Sequence, residues 1–313
     1  MGFLEGKVIA ITGAGRGIGR AVALECARHG AKVVVNDYGV SMSGEEPTSE
    51  VADAVVQEIK ELGGEAVAVA DSVATMAGGE RIVATAVETF GKIDGVVCVA
   101  GILRERMLFN MTEQEWDPVI ETHLKGTFTV FRAATAVMRK QEYGTLIGFT
   151  SGVGQLGSVA QANYAAAKAG IISLVRSAAV GMQKYGVTAN CVAPVANTRM
   201  SDGVPGGLAE SGEPEDVARL VVFLLSDAAK EITGQTYTAV GGRIALWSQP
   251  REIRSMVKDG GWSVEEIAEN LMSKIGIDEM PMFGIVREMT KARKKAEALA
   301  ADGIPGDAQT STG

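Results

Sequence analysis

The chain has 313 residues, 46% of them hydrophobic and 5% aromatic, with a formal net charge of -8. Enough apolar material is present to bury one large core with an appendage, while few aromatics and abundant Gly and Ala disfavour a β-sandwich. The acidic balance argues against a nucleic-acid partner, which needs basic surface to neutralise phosphates.

In chain order, short apolar β-branched runs alternate with helical patterns. Lys7–Thr12 reads as a strand, followed by a glycine-rich turn and a helix over Gly17–His29 that stops at Gly30. Lys32–Asn36 is a second strand, Val51–Leu62 a helix closed by Gly63 and Gly64, and Ala66–Ala70 a third strand. Thr75–Phe90 reads as a helix, Gly95–Val99 as a strand, Trp116–Lys140 as one long helix and Thr145–Thr150 as a strand. Asn163–Tyr185 is then a helix, Thr188–Val192 a strand, Glu213–Ser226 a helix with Pro214 in its first turn, and Gln235–Val240 the seventh strand. Strands interleaved in this way with helices imply an α/β fold, a doubly wound parallel sheet of seven strands covered on both faces.

Two polar segments interrupt the rhythm, Tyr38–Glu50 and the glycine-rich Ser201–Gly212. The second follows the sixth strand, where ligands of such sheets bind, and is expected to act as a lid; a plain surface loop is the competing reading. Residues 1–247 are assigned to the sheet domain and 248–313 to a C-terminal extension with a helix over Ser263–Ile275, a basic stretch over Arg287–Lys295 and a disordered end. The basic stretch can meet anionic phosphates, although a solvated helix face explains it more simply.

No signal-length apolar stretch opens the chain, and no later run is read as a membrane span. Cys26, Cys98 and Cys191 lie among apolar residues and read as buried thiols. A cytoplasmic protein is expected. With only His29 and His123 present, no histidine-rich metal site is expected.

The turn Thr12-Gly13-Ala14-Gly15-Arg16-Gly17-Ile18-Gly19 departs from G-x-G-x-x-G, since Ile18 stands at its last glycine position, and fits G-x-x-x-G-x-G instead. Small residues there let the backbone approach a pyrophosphate at a helix N-terminus. Asp37 ends the second strand, where a carboxylate accepts bonds from ribose hydroxyls and repels a 2′-phosphate, favouring NAD over NADP. Arg16 pulls the other way, because a guanidinium in the turn attracts that phosphate. Asp71, with Ser72 beside it, ends the third strand within reach of the adenine edge; a helix N-cap is the alternative role for Asp71.

After the fifth strand comes Ser151, then Tyr164 and Lys168. Tyr and Lys four apart on a helix share a face, so an ammonium beside the phenol is expected to lower the tyrosine pKa towards neutrality for proton transfer. Such spacing alone also describes a solvated helix face. Coupled to a nicotinamide site, the three residues become the proton half of a hydride transfer.

With these residues in place, the chain resembles the short-chain dehydrogenase/reductase family over about Lys7–Gly242, on Thr12–Gly19, Ala100-Gly101, Ser151, Tyr164, Lys168, Pro194–Thr198 and Thr233-Gly234-Gln235. The resemblance implies a Rossmann sheet assembled as a homodimer or homotetramer. It implies Tyr164 as general acid/base, Lys168 lowering its pKa while binding the nicotinamide ribose, and Ser151 bonding the substrate oxygen. Gly13, Arg16, Gly17, Ile18, Gly19, Asp37, Asp71, Ser72, Ala100, Tyr164, Lys168 and Thr198 are the implied cofactor contacts.

Two positions depart from the family pattern: Val99 replaces the usual asparagine of Asn-Ala-Gly, and His123 replaces an asparagine of the proton relay. His123 reads as a support of that relay. Asn36-Asp37-Tyr38-Gly39, Ala100–Arg106, His123–Phe128 and Gln161–Tyr164 resemble the (3R)-hydroxyacyl-CoA dehydrogenase branch, the domain of peroxisomal multifunctional enzymes of type 2 and its free-standing bacterial relatives. That branch implies a 3-hydroxyacyl-CoA or a 17β-hydroxysteroid as substrate. An NADPH-dependent reductase of 3-oxoacyl or xenobiotic ketones, and a catalytically silent dinucleotide-binding regulator, are the alternatives.

Overall fold

Seven parallel strands form the centre of the Met1–Ser248 unit. The computed structural model describes residues 2–39, 50–196 and 212–301; Thr198, most of the expected lid, residues 40–49 and the last dozen residues lie outside them. Strands β1 (Val8–Thr12), β2 (Lys32–Asn36), β3 (Ala66–Val69), β4 (Gly95–Cys98), β5 (Gly144–Phe149), β6 (Val187–Pro194) and β7 (Thr236–Val240) are ordered 3-2-1-4-5-6-7. An eighth strand, β8 (Arg243–Leu246), adds antiparallel to the outer edge of β7. Turning back there requires only a tight Gly241-Gly242 hairpin, with Gly241 at φ 49°.

Alternation along each strand explains the two apolar layers. Ile9 and Ile11 of β1, with Val33 and Val35 of β2, pack on the side of α1 (Gly17–Arg28), α2 (Glu50–Glu61) and α8 (Pro214–Leu225). Val8 and Ala10, with Val34, face α3 (Met76–Phe90), α5 (Gly126–Gln141) and α7 (Ala162–Met182). Cys26, Cys98 and Cys191 are buried free thiols within these layers.

The long helix expected over Trp116–Lys140 is broken. It begins earlier, as α4 (Glu113–Ile120), behind a capping box of Thr112 and Glu115, then widens into a π-helical turn over Glu121–Lys125 before α5. Such turns insert one extra residue per turn and re-aim side chains. A short helix that the sequence reading omits, α6 (Gly152–Leu156), lies between β5 and α7.

Ala162–Tyr185 has the length and mean hydropathy, 1.3, of a candidate membrane span, yet its Ile171, Ile172 and Val175 sit in the apolar layer against the sheet.

The chain divides into two compact units, Met1–Ser248 and Gln249–Gly313. Within the second, α9 (Val264–Lys274) starts on a Ser263–Glu266 capping box, and α10 (Pro281–Ala301) carries the basic stretch. On α10, Arg287 pairs with Glu279 and Lys291 with Glu288, all exposed, as in a solvated helix face.

Candidate functional site

The sheet order reverses between β1 and β4, and the carboxyl ends of these strands open into a cavity of about 450 Å³. Its walls bring together Gly13, Arg16, Gly17, Ile18, Gly19, Asp37, Asp71, Ser72, Ala100, Tyr164 and Lys168, drawn from five separate segments of the sequence. Pro194 also lines it.

At the first turn the glycines are required by space. A Cβ on Gly19 would stand 2.0 Å from the Gly13 carbonyl oxygen, and one on Gly13, which has φ 63°, 2.7 Å from the Ala100 Cα. The turn is thus folded tightly enough to bring the α1 N-terminus to the cavity, where unpaired N–H groups and the helix dipole favour a phosphate. Thr12 Oγ1 accepts from the Ala100 N–H at 3.3 Å, tying this turn to the end of β4. Among the described residues, this cradle fits the pyrophosphate of a dinucleotide.

Asp37 stands at the end of β2, its carboxylate accepting from the N–H groups of Gly15 at 2.8 Å and Gly39 at 2.7 Å. Both bonds fix the carboxylate at the cavity rim and leave oxygen lone pairs for further donors. Arg16, at the N-cap of α1, is exposed.

Asn36, absent from the expected set, bridges strand ends by donating to the carbonyls of Val69 (3.0 Å) and Asp71 (2.9 Å). Its signal was visible as a polar residue at the end of an otherwise apolar strand. Asp71 does not cap the following helix: Thr75 does, its hydroxyl accepting from Gly78 N–H at 3.0 Å.

At the far wall, Tyr164 occupies the first turn of α7 with Lys168 one turn on. The Ser151 hydroxyl stands close enough to the Tyr164 phenol to favour its charged form and accepts from the Val153 N–H at 3.2 Å as N-cap of α6. Lys168, 4% exposed, donates to the Phe149 carbonyl at 2.8 Å, its Nζ 5.4 Å from the Tyr164 ring centroid.

The expected acidification of the phenol is not found. Burial pushes Tyr164 up to about 12, opposed by the Ser151 hydroxyl, and pulls Lys168 down to about 7. Desolvation penalises each charged form separately. The neutral phenol is therefore the resting form, a proton donor, and Lys168 is poised to gain or lose charge near neutrality.

His123 arrives through the π-helical turn. Its ring is 2% exposed, and its Nε2 sits 2.8 Å from the carbonyl and 3.1 Å from the N–H of Ile102. Burial, then the charge of Lys168, holds its pKa well below the usual value. The ring stands edge-on to Tyr164 with centroids 5.2 Å apart. Gly101 makes the room: a Cβ there would lie 2.1 Å from His123 Cε1.

Asn163, 1% exposed, is another residue outside the expected set. Its side-chain amide donates to the carbonyls of Arg104 (2.8 Å) and Glu115 (2.7 Å), and its oxygen accepts from the Tyr164 N–H at 2.8 Å.

The chain and its fold have counterparts among known proteins. The family profile described as enoyl-(acyl carrier protein) reductase matches residues 13–243. A hydroxyacyl-CoA dehydrogenase of Mycobacterium tuberculosis is 42% identical over 86% of this chain and 88% of its own length. Mouse peroxisomal multifunctional enzyme type 2 is 45% identical over 81% of this chain, which spans 34% of that longer protein. The crystal structure of a short chain dehydrogenase from Mycobacterium avium superposes with a TM-score of 0.80 at 42% identity, covering 89% of this chain and 97% of that one. The chain belongs to the short-chain dehydrogenase/reductase family and is a nicotinamide-dinucleotide oxidoreductase acting on CH–OH groups.

Proposed function

We propose that the protein is an NAD-dependent dehydrogenase of 3-hydroxyacyl-CoA thioesters, with Tyr164 as acid/base, Ser151 holding the reacting oxygen and Lys168 stabilising charge on the phenol. The observation that carries the reading is the buried Tyr164 and Lys168, with Lys168 Nζ 5.4 Å from the phenol ring, lining the same cavity as the Gly13–Gly19 turn, and Ser151 beside the phenol. Bound nicotinamide would supply the hydride acceptor.

In the oxidative direction Tyr164 Oη must receive the carbinol proton, and in the reductive direction the neutral phenol gives it. Formation of the phenolate is disfavoured by burial alone; an ammonium on Lys168 offsets part of that cost, because opposite charges in one buried site stabilise each other. The Phe149 carbonyl accepts from the lysine amine, which stands 5.4 Å from the phenol ring centroid.

The name of the Mycobacterium tuberculosis relative supports the acyl-CoA substrate; a 17β-hydroxysteroid is the other secondary alcohol considered. Asp37 at the ribose end of the cavity supports NAD. The proposal includes a cytoplasmic homo-oligomer, argued from the buried free thiols and from the family resemblance.

A second reading is an NADPH-dependent 3-oxoacyl reductase. A Staphylococcus aureus protein named 3-oxoacyl-[acyl-carrier-protein] reductase is 41% identical over 75% of the chain, and Arg16 lines the cavity near Asp37. A silent dinucleotide-binding regulator is disfavoured by the intact Ser151–Tyr164 pair.

Initial rates with 3-hydroxyacyl-CoA against hydroxysteroids, each with NAD and NADP, test the proposal. A higher kcat/KM for the thioester with NAD supports it. Preference for NADPH with a 3-oxoacyl substrate establishes the second reading instead.

A further inference from the structure

Tyr164 is held from its main chain as well as from its side chain. The segment leading into α7 is strained at Ala160, a non-glycine residue at φ 61°, a conformation that costs energy and persists only where the surroundings enforce it. Enforcement is visible: the Ala160 carbonyl accepts from the Arg106 N–H at 2.8 Å, and Arg106 and Gln161 form an isolated parallel bridge.

Asn163 completes the attachment. Its two N–H donors go to carbonyls on separate segments, Arg104 after β4 and Glu115 on α4, while its oxygen holds the Tyr164 N–H. Both of its donors and one acceptor position are thus committed at 1% exposure. His123 grips Ile102 of the same post-β4 segment, and its ring meets that of Tyr164 in a T-shaped contact.

We propose that Asn163 is the positioning residue of this site: by fixing the post-β4 wall and α4 to the main chain of Tyr164, it sets the phenol at the distance from the substrate that proton transfer needs. The inference rests on the proposed role of Tyr164. It assigns Asn163 no contact with substrate and no proton.

A side chain acting through Tyr164 has a distinctive signature. Asn163→Asp is nearly isosteric but exchanges the amide donor for an oxygen facing two carbonyls, so the wall and the helix separate. Misplacement of a reacting group by about 1 Å costs roughly 10²-fold in rate. The expected result is a kcat lower by about 10²-fold with the dinucleotide Kd near that of the parent, and a lowered thermal midpoint, since two buried carbonyls lose their donor.

The decisive measurement is a cycle with Tyr164→Phe. If Asn163 acts through the phenol, Asn163→Asp lowers kcat in the parent and adds little once Tyr164 is gone, because effects of residues that act as a unit are not additive. Equal losses in both backgrounds, or unchanged kcat in a folded Asn163→Asp protein, overturn the inference. Should Asn163→Asp not fold, the same cycle is read with Asn163→Ser, which keeps a small polar group in the space. If Tyr164→Phe itself retains full turnover, the proposed function fails first.

Discussion

The imidazole of His123 meets the phenol ring of Tyr164 edge-on, at 87° between planes, while its Nε2 lies within hydrogen-bond distance of both main-chain polar groups of Ile102. A buried imidazole next to Lys168 stays neutral, so it works by shape and hydrogen bonding and not by titration.

Replacing it tests that claim. His123→Gln should lower kcat by roughly tenfold, as expected for loss of ring contact and of one buried hydrogen bond. The pH profile of kcat/KM should keep its shape through about pH 6.5, where an ordinary imidazole titrates. Loss of a profile limb in this region would show that His123 does titrate.

Lys168 makes a pH-dependent contribution to stability whose sign follows from its depressed pKa. The unfolded lysine titrates near 10.5 and the folded one at about 7, so between these values the unfolded chain binds more protons and stability rises with pH. Below about 7 the buried ammonium is retained and the penalty is full. In urea melts, the stability of the parent relative to Lys168→Met should increase from neutral to alkaline pH; a constant difference would contradict the shift.

Asp37 is expected to govern the choice of dinucleotide. Asp37→Ala removes a carboxylate that repels a 2′-phosphate, so the NADP to NAD ratio of kcat/KM should rise by about 10²-fold. Binding of either form weakens at the same time, since the Gly15 N–H loses its acceptor. Steady-state kinetics with both cofactors read the two effects apart.

Gly101 is required by the ring it faces. In Gly101→Ala the new methyl collides with His123 Cε1 at 2.1 Å, and such overpacking typically costs about 1–3 kcal/mol. The midpoint of chemical unfolding should fall accordingly, and kcat should fall with it as the displaced ring presses on Tyr164.

The strands and most helices were legible because their periods are strong: β1, β2 and β4 are short apolar runs between glycines, and α1 follows its turn without a gap. The π-helical turn was not, since an extra residue in a helix leaves the apolar pattern nearly intact. Thr112 and Glu115 did carry a capping-box signal that marks the true start of α4. β8 is exposed at Arg243, Ile244 and Leu246 and so lacks the buried pattern that revealed the others.

Within the site, residue types and spacing pointed to Ser151, Tyr164, Lys168, Asp37 and the glycine turn, which the fold brings to one cavity or its edge. Burial was the missing quantity. The sequence places Lys168 beside Tyr164 but does not reveal that both are desolvated, which reverses the expected shift of the phenol. Asn163 and Asn36 act through main-chain carbonyls distant in sequence, contacts that no local pattern encodes.

Turnover of a Tyr164→Phe protein with 3-hydroxyacyl-CoA and NAD, followed by the appearance of reduced dinucleotide, tests the central claim most directly. Loss of general acid/base catalysis should reduce kcat by about 10²–10⁴-fold while NAD still binds. Turnover close to that of the parent would show that Tyr164 does not handle the proton.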